Sequence, residues 1–256
     1  MATKKTETVE SLDIVKLVER DMDVCIIGTS PLIMNRLAEK AKQQLLLPPG
    51  KKTAATKAVT LKHDPLEEFR SAAHRMNDED GPTLLGVPSV AFKGAMRSAA
   101  LEIPGTTKTQ IGKLTYVRGE LIPVYGVPRL LCSVTRLQDI SKTPDVRTRV
   151  IIPKWAMTVT VTFIEPQLRS QAIANLIAGA GLISGIGDWR PEKGSGSYGQ
   201  FEICTKDNAR FLEILKEGGR AAQMAALSDP VAFNEETEEL LQWFDVEVRR
   251  RGFKAA

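Results

Sequence analysis

The sequence predicts an α+β fold, a modified ferredoxin-like βαββαβ core with insertions and C-terminal helices. Three observations carry that prediction. The apolar run Asp23–Gly28 ends in a turn signal, as a buried strand does. Residues 155–163 alternate strictly, Thr158, Thr160 and Thr162 against Met157, Val159, Val161 and Phe163. Two segments keep helical spacing, 90–101 and 166–180, and each falls between strand signals.

Taken in order, the chain opens with a mostly polar extension, 1–21, which is left without an element. After the strand at 23–28, Ser30-Pro31 reads as a cap followed by proline at the first helical position, predicting a helix to about Gln44. The basic stretch 47–57 lacks apolar periodicity and reads as a loop. Asp64-Pro65-Leu66-Glu67 is a capping box that starts a helix to about Asn77. Ser89 opens the helix 90–101, which Pro104-Gly105 ends. Strands are predicted around 113–118, 120–125 and 130–137, and a loop-like basic stretch over 141–153. A strand at 155–163, a helix from Pro166 to about Ala180, and a strand at 198–204 follow. Helices at 207–217 and 234–250 close the chain. The domain reading is an extension (1–21), a core (22–205) with insertions at 30–86 and 138–154, and a helical tail (206–256).

Composition narrows the chemistry. The 256 residues carry 35 basic and 31 acidic side chains, a formal charge of +4, compatible with a polyanionic partner. No apolar run is long enough for a membrane span, and no apolar block follows the first lysines, so an intracellular protein without membrane contact is expected. Cys25, Cys132 and Cys204 are odd in number and far apart, which argues against a disulfide framework. With only His63 and His74, zinc chemistry is not expected, nor is any cofactor. No phosphate-cradling G-x-x-x-x-G-K-[ST] and no G-x-S-x-G elbow occur.

Two constellations remain. In Val87-Pro-Ser-Val-Ala-Phe-Lys-Gly-Ala-Met-Arg97, the residues Ser89, Lys93 and Arg97 stand four apart and share one helical face. They suit a phosphodiester backbone, and equally a solvated basic face behind a serine cap. The glycine-rich segment 179–199 sets Gly185, Gly187 and Gly199 beside Trp189, Arg190, Lys193 and Tyr198. Those residues suit phosphate pairing and base stacking. The plainer alternative is a long connection with Trp189 tucked into the core.

Together these segments resemble the RAMP superfamily, the backbone subunits of CRISPR ribonucleoprotein complexes. The first is similar to its I-P-G-S-S-L-K-G-x-x-R segment, and the second to its glycine-rich loop before the last strand. The start of the first insertion, residues 30–36, also resembles RAMP-like proteins of phage genomes. There are two departures: Val90 replaces the second serine, and residues 188–192 are inserted in the glycine loop. Membership of a CRISPR complex is therefore not inferred.

The resemblance implies an RRM-like fold that lines up side by side, as a homo-oligomer or filament, along single-stranded RNA or DNA. Ser89, Lys93 and Arg97 would hold the backbone, and Gly185, Gly187 and Gly199 would shape its path. It also implies an arm reaching to the next subunit. The candidates are the loop 48–57 and the basic segment 142–154, with Arg147, Arg149 and Lys154; an ordinary charged edge strand explains the latter as well. The expected setting is the cytoplasm, including that of an infected host cell.

The leading expectation is a non-enzymatic, sequence-independent single-strand binder. A structural or assembly protein, whose loops contact protein neighbours, is the alternative. An endoribonuclease using Asp64 with His63 and His74 is a third reading, set against the capping role of Asp64, worth about 1 kcal/mol.

Overall fold

The computed structural model describes residues 15–36, 46, 63–136, 144–193 and 196–252. In chain order its elements are β1 (Val18–Gly28), β2 (Leu32–Met34), α1 (Pro65–Ser71), β3 (Gly86–Pro88), α2 (Ser89–Ala99), α3 (Lys108–Leu114), β4 (Thr115–Val117), β5 (Leu121–Pro123), β6 (Arg129–Arg136), β7 (Pro144–Ile152), β8 (Ala156–Glu165), α4 (Ser170–Gly179), β9 (Phe201–Cys204), α5 (Ala209–Glu217), α6 (Arg220–Ser228) and α7 (Glu235–Arg250). A π turn, Ala180–Ser184, continues α4, and a 3-10 turn spans Pro191–Lys193.

The fold is α+β with antiparallel sheets. The largest sheet has the order β4-β8-β1-β9. Alternation along β1 and β8 separates its faces. Val24, Ile26, Met157, Val159, Val161 and Phe163 enter the main core, where Phe92 and Met96 of α2 and Ile173, Leu176 and Ile177 of α4 meet them. Phe92, Ala95, Met96 and Ala99 recur at helical spacing, so α2 lays one apolar stripe on the sheet. Cys25, Ile27 and Ala156 face the other way and are covered by Phe211 and Ile214 of α5. Beyond α5 that face turns polar: Thr160 Oγ1 donates to Asp23 at 2.7 Å, and Thr162 to Asp21 at 2.5 Å.

Several expectations are corrected. The predicted helix after Ser30-Pro31 does not start there, because Leu32–Met34 is β2, paired with β7. Its side chains are buried on both faces, Leu32 and Met34 in the main core and Ile33 against Leu131 and Ile151. Burial on two faces favours a strand over the local helix signal. Ser30 serves the neighbouring chain instead, accepting from the Gln200 amide through Oγ and from Trp155 Nε1 through its carbonyl. Residues 37–45 and the expected loop 47–57 lie outside the described residues, as do residues 1–14.

The stretch expected as a loop over 141–153 holds β7, the central strand of the sheet β2-β7-β6. The basic segment proposed as an arm is in this part a strand inside a sheet, paired to β6 from Arg129 to Arg136. The predicted strand 113–118 divides into the end of α3 and β4. The first helix after Asp64 stops at Ser71, and α4 begins at Ser170 rather than at Pro166. An unforeseen helix, α6, places Gln223 fully inside, where its side chain serves two amides and three carbonyls.

Candidate nucleic-acid interface

The start of α2 is fixed by backbone rather than by a serine cap. Pro88 occupies the cap position, and the Ser89 amide donates to the Glu120 carbonyl at 2.9 Å. Ser89 is buried, so it lines the base of the helix instead of facing solvent. One and two turns later come Lys93 and Arg97. Lys93 Nζ stands 4.9 Å from the centroid of the Tyr116 ring on β4. Burial, and then the neighbouring Arg97 charge, hold the Lys93 pKa below the ordinary lysine value.

Arg97 lies along α3. Its Nε is buried without a hydrogen-bond partner. Gly112 leaves it room, since a Cβ there would stand 3.0 Å from that nitrogen. No carboxylate among the described residues pairs with Lys93 or Arg97. Lys108 and Lys113 add two exposed cations on α3. This edge of the molecule therefore gathers like charges, and among the described residues none of Lys93, Arg97, Lys108 and Lys113 is in a salt bridge.

The other predicted basic residues divide into two groups. Arg147 pairs with Asp145 at 3.2 Å, Arg149 with Asp188 at 2.7 Å, and Arg190 with Glu192 at 2.9 Å. Arg149 is only 6% exposed, and its guanidinium lies 4.5 Å over the Trp189 ring. Lys154 and Lys193 are exposed and in no salt bridge among the described residues, although Lys193 is near enough to help lower the Glu192 pKa.

The glycine-rich segment is folded onto its own chain. Gly187 has φ +82°, and a Cβ on it would stand 2.4 Å from the Ile33 carbonyl oxygen. Gly199 has φ +70°, and its Cβ would reach within 1.7 Å of the Ile186 carbonyl oxygen. These positions need glycine for internal close approach, as does Gly185 with φ +67°. Trp189 is partly buried with Ile33, Leu131 and Ile151, and its ring meets Tyr198 at 6.0 Å between centroids. The tucked-in alternative for Trp189 thus describes its surroundings.

Glu192 ties this loop to α2. One carboxylate oxygen accepts from Ser98 Oγ at 2.5 Å and the other from Arg190 Nε at 2.9 Å. Burial pushes its pKa up, but the Ser98 and Arg190 hydrogen bonds and the nearby cations outweigh it, and the net shift is downward. A cleft of about 150 Å³ remains between the two, lined by residues that include Asn35, Pro88, Ala91, Gly187 and Arg190.

Sequence reading brings together Ser89, Lys93 and Arg97, and the structure keeps them on one helix. It does not bring Arg147, Arg149 and Lys154 into that edge. Tyr116, Gly112 and Asp188 escaped notice: only long-range contacts reveal them. Among the described residues no group of His, Cys, Asp and Glu could hold a metal ion, and no helix is long and apolar enough to cross a membrane.

No family model and no curated protein matches this chain. Solved structures do. The chain is similar to the crystal structure of Cmr6 from Pyrococcus furiosus, at 9% identity and TM-score 0.37, over 73% of this chain and 98% of that one. It is also similar to a chain of the cryo-EM structure of the type III-B Cmr-beta bound to cognate target RNA, at 14% identity and TM-score 0.34, over 73% of this chain and 59% of that one. The superpositions are loose, and the site is assigned from this chain's own geometry.

Proposed function

We propose that this chain is a non-enzymatic binder of single-stranded nucleic acid, RNA or DNA. It holds the strand by its phosphates, reads little sequence, and places copy beside copy along it. The carrying observation is the pair Lys93 and Arg97, two cations one helical turn apart that no carboxylate among the described residues pairs with. A phosphodiester supplies the missing charge.

Other features support the reading. The strand order β4-β8-β1-β9, with α2 and α4 on one face, supports the reading of a ferredoxin-like βαββαβ core. Val90 on α2 and Leu182 in the π turn packed on it are exposed, apolar, and suited to a neighbouring copy. Asp64 caps α1 by accepting from the Glu67 amide, which supports a structural role for it.

Size exclusion with absorbance at two wavelengths, before and after nuclease, tests the proposal. A large species rich in nucleic acid that collapses under RNase or DNase is expected, and the effective enzyme names the polymer. A small species with no affinity for labelled single strands at low salt contradicts it.

One observation favours the assembly reading. An apolar cavity of about 330 Å³ opens beside α7, lined in part by Cys132, Val146, Leu240, Phe244 and the exposed Trp243. If protein neighbours dock there, a large species survives nuclease and high salt, and Trp243→Ala disperses it.

A further inference from the structure

We infer that Tyr116 stacks on a base of the bound strand and that Lys93 couples phosphate binding to that stacking; this rests on the phosphate site proposed above. Of the described aromatic side chains only Tyr116 and Trp243 are exposed, at 48% and 63%. Trp243 lies on α7, one turn from Glu247, which is already paired with Arg250 and Arg251. Tyr116 lies beside the unneutralised cations.

Its position follows from the topology. Among the described residues β4 is an edge strand paired with β8, where Tyr116 stands opposite Thr162. Among the described residues no strand lies on its outer side, and Tyr116 is 48% exposed. The contact across the ring comes from α2, where Lys93 Nζ is held 4.9 Å from the centroid. That nitrogen is the same one that faces an incoming phosphate.

The two interactions compete for one ammonium. A charge-assisted hydrogen bond to a phosphate oxygen is stronger than a half-exposed cation–π contact. Phosphate binding therefore draws Lys93 off the ring and leaves a π face next to the nucleotide just captured. Every base has such a face, so stacking adds affinity without reading sequence. In a chain with only 5% aromatic residues, one ring at the phosphate site gives base contact without a sheet platform.

The test uses labelled oligothymidylate and oligouridylate, each beside an abasic oligonucleotide of equal length, with binding read by fluorescence anisotropy. The parent protein is expected to prefer the base-bearing strand by about tenfold. Tyr116→Ala erases that preference, Tyr116→Phe keeps it, and Lys93→Ala weakens both strands alike while preserving it. A Tyr116→Ala protein that retains the preference, or a Tyr116→Phe protein that loses it, overturns the inference. A parent that binds base-bearing and abasic strands equally removes the stacking but leaves the phosphate site standing. A parent that binds neither removes both.

Discussion

Arg149 and Asp188 fasten the glycine-rich loop to the three-stranded sheet, with Nε 2.7 Å from Oδ2 and the guanidinium lying over Trp189. Asn35 donates to the same carboxylate oxygen at 3.1 Å, so β2's exit is joined to the same point. An arginine this enclosed and already paired positions the loop and leaves little for a phosphate. Arg149→Ala should lower stability by roughly 2 kcal/mol, less than a fully buried pair because Asp188 is partly exposed. Urea denaturation measures that loss. At temperatures where the variant is folded, the salt dependence of nucleic-acid binding should match the parent.

Gln223 is the second internal fastening. Its Oε1 accepts from the Leu84 and Leu85 amides, and its Nε2 donates to the Val124, Gly126 and Gly218 carbonyls. Leucine in its place leaves the Leu84 and Leu85 amides and the Val124 and Gly126 carbonyls without this partner, while the Gly218 carbonyl keeps the Gly126 amide; the cost is about 1–3 kcal/mol for each orphaned group that water cannot reach. Gln223→Leu should therefore cost about 3 kcal/mol or more, seen as a lower denaturation midpoint. A midpoint equal to the parent's contradicts this role.

Lys93 gives binding a pH signature. Its folded-state pKa is depressed below 10.5, mainly by burial, so the free protein loses this charge at a lower pH than an ordinary lysine would. A depressed lysine pKa means the folded state binds fewer protons, and stability rises with pH through that window. Phosphate binding has the opposite sign, since it requires the ammonium. Affinity should fall as alkaline pH approaches and passes the depressed pKa, before ordinary lysines titrate. Anisotropy titrations checked against Lys93→Ala isolate the effect, because the variant lacks that early decline.

Much of this arrangement is legible in the sequence, and the exceptions have physical causes. The alternating threonines of β8 and the four-residue stripe Ser89, Lys93, Arg97 are local patterns, and the elements follow them. β2 is not legible, because a strand buried on both faces reads as a plain apolar run, and Ser30-Pro31 imitates a helix start. The basic stretch around Arg147 and Arg149 invites a solvated arm. Its neutralising partner Asp188 lies 39 residues away, and only the folded chain brings the two together. For the same reason spacing marks Lys93 and Arg97 as cations on one face but cannot show that no carboxylate among the described residues pairs with them.

The central claim is that Lys93 and Arg97 meet phosphate. Its most direct measurement is the slope of log affinity against log salt for parent and Lys93→Ala/Arg97→Ala proteins on a labelled single strand, with Arg147→Ala as control. Each phosphate contact on a single strand contributes about 0.7 to that slope, so the double variant should lose about 1.4 while the control stays near the parent. A double variant with the parent's slope and affinity contradicts the claim.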